Sequence, residues 1–342
     1  MIRVLIVDDS ATARHILREI LESDARLEVI GLAADAYIAR DMIVELKPDV
    51  ICLDVEMPRM DGVTFLQKLM LHYPTPVVMV SSLTRASARI TLDALEAGAV
   101  DYVAKPHSHI YDGKEMLKDE LIQKVINASY ARVQKKIPMA QKKSYFTSLA
   151  ETTHKVIAIG SSTGGTEALK VVLGGLPKNA PAILVVQHMP QSFLESFALR
   201  LNQLCAIDVK IAQHGEFLQT GTAYIAQGSK HMVLRRSGAS YFIEIGIGEK
   251  VSGHCPSVDV LFNSVAKVAG SNAVGVILTG MGSDGARGML HMHEAGAKTI
   301  AQSEESCVVF GMPKEAIRLG GVDRVSPLGE ISQDIVNLLK SE

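Results

Sequence analysis

The sequence predicts two α/β domains, the first built on an open, parallel, doubly wound sheet, joined by a polar connector. Three observations carry this. The chain has 342 residues, more than one hydrophobic core usually serves. Short apolar runs alternate with amphipathic stretches in two separate blocks, the pattern of parallel sheets with crossover helices. Between the blocks, residues 135–153 lose that periodicity and turn polar. The expected organisation is a domain over 1–134, a linker over 135–153 and a second domain over 154–342.

In the first block, Ile2–Val7, Leu27–Leu32, Val50–Leu53, Val77–Val80 and Tyr102–Ala104 read as five strands. Their unbroken apolar character predicts burial on both faces. Helical patterns cover Ala11–Glu22, Ala36–Leu46, Val63–Leu71 and Ala86–Glu96, and a last helix runs over about Lys114–Gln134. The second block opens at Lys155–Gly160. Further strand-like runs follow at Ala182–Val186, Val209–Ala212, Ala223–Ala226, His231–Leu234, Phe242–Ile245, Val274–Leu278 and Thr299–Ala301. The first, second, seventh and eighth flank helical stretches. The middle four lie close together around Gly-rich turns, which suggests an antiparallel hairpin region inserted in an α/β core.

Composition narrows the function. Hydrophobic residues make up 47% and charged residues 21%, ordinary for a globular chain with real cores. A formal net charge of -2 gives no electrostatic footprint for nucleic acid or anionic lipid. Cys52, Cys205, Cys255 and Cys307 are far apart and read as reduced thiols. The first apolar run is short and at once acidic, unlike a signal peptide, and no stretch is long enough to span a bilayer. The expected compartment is the cytoplasm, with no membrane insertion and no nucleic-acid partner.

In the first domain Asp8 and Asp9 close the first strand, Asp54 the third, Ser81 the fourth and Lys105 the fifth. In a parallel sheet these ends share one edge, where ligands bind. Three crowded carboxylates repel one another unless a hard cation compensates, and oxygen-ligated Mg²⁺ fits. Asp54 could then attack a phosphoryl group while Mg²⁺ and Lys105 neutralise the developing charge. Taken singly, Asp9 or Ser10 is a helix cap, Asp54 a loop acid and Lys105 a surface lysine; the set at successive strand ends favours a shared site. The segments VDDS at 7–10, LDVEMPRMDG at 53–62, MVSS at 79–82 and AKP at 104–106 resemble the response-regulator receiver family over residues 1–106. That resemblance implies a flavodoxin-like fold with Asp54 as phospho-acceptor. It implies Mg²⁺ held by Asp9, Asp54 and the Glu56 backbone carbonyl, with Asp8 acting through the surrounding shell. Ser81 would be the hydroxyl that swings to the phosphoryl group, with Ser82 leaving a one-residue ambiguity.

In the second domain, the run Gly160 to Gly165 joins a strand to a helix and fits G-x-S-x-G with Ser162 at its centre. Such a turn either projects a serine or cradles a phosphate. The second glycine of a dinucleotide fingerprint is absent. His188 ends the following strand, and Asp284 lies in the Gly-rich loop after a later one, where it could orient the histidine or simply cap a helix. Gly280 and Gly282 leave amides accessible for an oxyanion hole. The order Ser, His, Asp differs from that of the α/β-hydrolases, and His291 and His293 fall inside a helix where they cannot easily return to Ser162. The motifs IGSSTGGTEAL, QHMP, GHCPSVDVLF, LTGMGSDGA and FGMPKEA resemble the catalytic domain of the chemotaxis protein-glutamate methylesterases, the CheB family, over residues 155–320. Cys255 departs from the pattern, since a basic residue is common there.

This second resemblance implies a Rossmann-like α/β catalytic domain with a small hairpin region. Ser162 would be the nucleophile, His188 the general base and acid, and Asp284 the residue that orients His188. The Met281 amide would serve the oxyanion hole, with Thr163 close by. The implied activity is demethylation of glutamate methyl esters, with deamidation of glutamines, on methyl-accepting chemoreceptors. The phosphodonor would be a chemotaxis histidine kinase, Mg²⁺ would serve the receiver only, and phosphorylation would lift a block of the Ser162 face. A different ester substrate, a nucleotide-binding adaptor and a transcription factor are the competing readings; no basic helix-turn-helix follows the linker.

Overall fold

The computed structural model describes residues 1–81, 85–105, 114–131, 133 and 155–340. The chain divides into two compact units, Met1–Ala140 and Gln141–Glu342. Ser82 and the expected linker lie outside the described residues, as does the expected end of the last helix of the first domain at Gln134. No helix among the described residues is long and apolar enough to cross a membrane.

In the first unit β1 (Ile2–Val7), β2 (Leu27–Ala33), β3 (Val50–Asp54), β4 (Val77–Ser81) and β5 (Asp101–Ala104) form one parallel sheet in the order β2-β1-β3-β4-β5. The helices α1 (Ala11–Glu22), α2 (Ala36–Leu46), α3 (Gly62–His72), α4 (Arg85–Ala97) and α5 (Lys114–Ser129) connect and follow the strands. β3 and β4 are buried throughout, as their apolar runs predict. β2 is not. As an edge strand it keeps four partly exposed residues and one exposed one, because one side of the sheet ends there. Local chemistry starts the helices: the Ser10 hydroxyl accepts from the Ala13 amide, and Asp61 caps α3 through the Thr64 amide. After Asp61 only glycine fits, since a Cβ on Gly62 would stand 2.0 Å from the Asp54 carbonyl oxygen.

The second unit is built on a seven-stranded parallel sheet in the order β14-β13-β12-β6-β7-β9-β8. Its strands are β6 (Val156–Ser161), β7 (Ala182–Gln187), β8 (Asp208–Ile211), β9 (Thr222–Ile225), β12 (Ala273–Ile277), β13 (Lys298–Gln302) and β14 (Arg324–Ser326). The antiparallel pair is β10 (His231–Ser237) with β11 (Ser240–Gly246), turning at Gly238, whose φ is +58°. The expected hairpin region is therefore half of what the sequence suggested. The runs at 209–212 and 223–226 are the parallel edge pair β8 and β9. β14 had no counterpart in the expected strands; with three residues, two of them exposed, it carries almost no apolar signal.

The helices of this unit are α6 (Gly165–Gly174), α7 (Gln191–Leu204), α8 (Val258–Ala269), α9 (Ala286–Glu294), α10 (Met312–Arg318) and α11 (Ile331–Lys340). One core joins Val156 and Ala158 of β6 with Leu184 and Val186 of β7, Val258, Leu261, Phe262 and Val265 of α8, and Met289 and Met292 of α9. Fully burying such side chains stabilises by about 1.5–3 kcal/mol each. Small residues on β6 let α8 approach: a Cβ at Gly160 would fall 2.2 Å from Val258 Cγ1. Gly160→Ala is expected to cost roughly 1–3 kcal/mol by overpacking, measured by urea unfolding. In the Gly160→Ala/Val258→Ala double variant the loss should be smaller than the sum of the single losses, because the clashing methyl is gone; strict additivity would disprove the contact.

Candidate active site

Both sheets change winding direction at an identifiable place, and both candidate sites sit there. In the second unit the change falls between β6 and β12, whose exits lead to the Ser162 turn and to the loop of residues 278–285. The Ser162 amide donates to the Thr279 carbonyl at 3.1 Å, which joins these two turns. The third turn, after β7, is joined to the first: the His188 amide donates to the Ser161 carbonyl at 3.2 Å. Ser162, His188 and Asp284 are thus brought to one rim of the sheet.

Asp284 is 1% exposed and fully engaged. Its Oδ1 accepts from the Ser257 hydroxyl at 2.7 Å and the Asp259 amide at 3.0 Å. Its Oδ2 accepts from the Val258 amide at 2.8 Å and from His188 Nε2 at 2.9 Å. Three of these donors are the N-terminus of α8, where free amides favour an anion. Burial pushes the carboxyl up, but the hydrogen bond and charge of His188 and the α8 donors outweigh it. The acid is held below the usual carboxylate range. The same acid site is buttressed from behind: Asp259 Oδ1 accepts from the Gly288 amide of α9 at 2.8 Å. Each of the two helices receives a carboxylate from the segment that starts the other.

An ionised carboxylate only accepts, so the proton of His188 sits on Nε2 and the lone pair on Nδ1. That Nδ1 is buried and has no hydrogen-bond partner among the described residues, so no bond to the Ser162 hydroxyl is formed here. Nucleophile–base bonds are commonly looser in ligand-free sites. The His188 ring also stacks on His254, with centroids 3.7 Å apart and planes within 6°. The sequence reading did not single out His254, Ser257 or Asp259. The usable signal was Ser257 and Asp259 ahead of an apolar run, a helix start, within the GHCPSVDVLF segment.

The amides divide. Gly280 N–H is spent on the Val309 carbonyl at 3.0 Å, so it does not stand open as its sequence context suggested. Two donors, the Gly311 and Met312 amides, hold the Gly280 carbonyl. In a trans peptide the following N–H points the opposite way, which turns the Met281 amide away from that anchor. Thr163 is buried, and its carbonyl accepts from the Thr279 hydroxyl at 3.0 Å. His291 pairs with Asn263 and His293 with Asp323, both away from this rim.

In the first unit the winding changes between β1 and β3. Oxygens of Asp8, Asp9 and Asp54 lie within 4.8 Å of one another, and Lys105 Nζ bridges Asp8 at 2.8 Å and Asp54 at 2.9 Å. Asp54 is pushed up to about 6 by burial, with Asp8 repulsion adding and Lys105 and the Glu56 amide opposing. Clustered oxygens that, among the described residues, share the Lys105 ammonium suit a hard divalent cation. A crevice of about 490 Å³, lined by Asp9, Glu56, Met57 and Asp61 among others, opens beside them. Ser81 is buried, and its hydroxyl shares a 2.9 Å hydrogen bond with that of Thr91.

Residues 157–335 match the CheB methylesterase family, and residues 4–112 match the response regulator receiver domain. The chain belongs to the CheB methylesterase family. It is 57% identical over 346 residues to the protein-glutamate methylesterase/protein-glutamine glutaminase of Sulfurimonas denitrificans, covering 99% of this chain and 98% of that one. With the protein of the same name from Salmonella typhimurium it shares 55% over 335 residues, 98% and 96% of the two chains. The crystal structure of the Thermotoga maritima CheB methylesterase catalytic domain, 40% identical, superposes with a TM-score of 0.53 over 54% of this chain and 99% of that one.

A carboxylate with a depressed folded pKa adds stability above its unfolded pKa and loses it as the pH falls through the folded value. For this CheB-family chain, Ser257→Ala removes one donor to Asp284 and should cost roughly 1–3 kcal/mol at neutral pH. The difference in urea midpoint should narrow below the usual carboxylate range, as Asp284 takes up a proton. A difference that stays constant with pH would assign the loss to the Ser257 cap on Val260 alone.

Proposed function

We propose that the chain is a phosphorylation-activated protein-glutamate methylesterase and protein-glutamine glutaminase that acts on methyl-accepting chemoreceptors in the cytoplasm. The observation that carries the catalytic half is His188: one ring nitrogen is committed to a buried carboxylate, and the other, without a hydrogen-bond partner among the described residues, lies at the rim that bears Ser162. The names of the full-length relatives supply the substrate class.

Ser162 attacks the side-chain carbonyl of a methylated glutamate while His188 Nδ1 takes its proton. Asp284 stabilises the imidazolium that forms. The Met281 amide, beside Thr163, donates to the oxyanion; one such donor is worth about 10²–10³ in rate. His188 returns the proton to departing methanol, then activates the water that hydrolyses the acyl-enzyme. With a glutamine side chain the same steps release ammonia.

In the receiver, Asp54 takes a phosphoryl group from a chemotaxis histidine kinase. Lys105 meets the charge on the phosphoryl oxygens, and Ser81 exchanges its Thr91 partner for one of them. Asp9, Asp54 and the Glu56 carbonyl would hold Mg²⁺, with Asp8 beside them. When bound, the ion supplies positive charge that offsets the crowded carboxylates.

Methanol release from methylated receptor fragments tests the reading. Ser162→Ala should lower it by at least about 10³-fold. Asp54→Asn should abolish the response to Mg²⁺ plus a phosphodonor. Wild-type release from Ser162→Ala, or a full response from Asp54→Asn, would overturn the corresponding half.

A further inference from the structure

β7 reads Ala182-Ile183-Leu184-Val185-Val186 and then ends on a buried amide, Gln187, 3% exposed. Nothing in the packing of a buried parallel strand calls for a primary amide there, and burying one costs free energy unless it is hydrogen-bonded. Its partners show what it does. Oε1 accepts from the Ser161 hydroxyl at 2.7 Å, while Nε2 donates to the Ser162 carbonyl at 3.0 Å and the His188 carbonyl at 3.2 Å. Two carbonyls cannot donate, so chemistry dictates which end of the amide faces them.

From these contacts we infer that Gln187 is a positioning residue for the hydrolytic reaction, one side chain that clamps the nucleophile turn to the base turn. The inference rests on the esterase reading above. The clamp acts on backbone: it holds the carbonyls of Ser162 and His188, so the separation of Ser162 Oγ and His188 Nδ1 follows from it. The Gly165 amide adds a second hold on the Ser162 carbonyl, at 2.7 Å. Gly165 also explains itself this way. Its φ is not in the left-handed range, unlike that of Gly164 at +75°, but a Cβ on it would stand 2.2 Å from Gln187 Oε1. The glycine is the space the amide occupies. The same device recurs on the other side of the rim. Gln302, at the end of β13, accepts from the Thr279 amide at 2.8 Å and donates to the Ser306 carbonyl at 2.6 Å.

The test uses the full chain and two readouts, methanol release from methylated receptor fragments and the rate at which a fluorophosphonate labels Ser162. Gln187→Met keeps the length and removes the hydrogen bonds. A displacement of about 1 Å costs about 10²-fold. kcat and the labelling rate should therefore both fall by about that factor, with KM within about twofold. Gln187→Glu cannot donate while ionised but regains a donor when protonated, so its activity relative to wild type should rise as the pH is lowered. That dependence decides the matter if Gln187→Met fails to fold. Both variants within about threefold of wild type in kcat and labelling, a loss confined to KM, or a pH-independent Gln187→Glu ratio would overturn the inference. Ser162→Ala releasing methanol at the wild-type rate would instead overturn the esterase reading.

Discussion

The arrangement of the catalytic unit depends on one buried anion. Asp284 has lost its water and is stable only because four donors converge on it, three of them from the start of α8. An unpaired buried charge costs several kcal/mol, so the position of α8 is not free to vary. α8 in turn reaches Asp284 only because Gly160 lets Val258 lie against β6. The tautomer of His188 is a consequence: a carboxylate that must accept forces the proton onto Nε2 and leaves Nδ1 basic. Packing, electrostatics and proton inventory are a single chain of cause here.

The two units use the same architectural rule for opposite electrostatic ends. In both, the ends of parallel strands around a winding change present polar side chains to one crevice. In the catalytic unit the acid is surrounded by donors and held low. In the receiver, carboxylates crowd one another around the Lys105 ammonium, and burial drives Asp54 up to about 6. The first environment keeps a carboxylate ionised beside the His188 ring. The second crowds like charges, and burial there favours the neutral acid.

Legibility in the sequence followed the range of the interaction. Strand ends were legible because apolar runs and Gly-rich turns are local signals, so Asp54, Ser81, Ser162 and His188 could be placed at sheet edges directly. The pairing of β8 with β9 was not. A four-residue apolar run reads the same whether its partner is parallel or antiparallel, since pairing direction is set by the chain's path between the strands. β14 was silent because an exposed edge strand has no apolar run to betray it. The engagement of the Gly280 amide was not legible for a similar reason: the Val309 carbonyl that accepts from it lies 29 positions further along the chain.

By itself, then, the sequence determined the two α/β units, the positions of nearly all their strands along the chain and the side chains delivered to each sheet edge. These are fixed by periodicity and punctuation within a few residues. The tertiary structure alone decided which ring nitrogen of His188 is left without a proton, that His254 stacks on that ring and that Gln187 ties two turns together. Such contacts depend on distances between segments remote in the chain. Those distances exist only after the sheet, its glycines and its helices have packed.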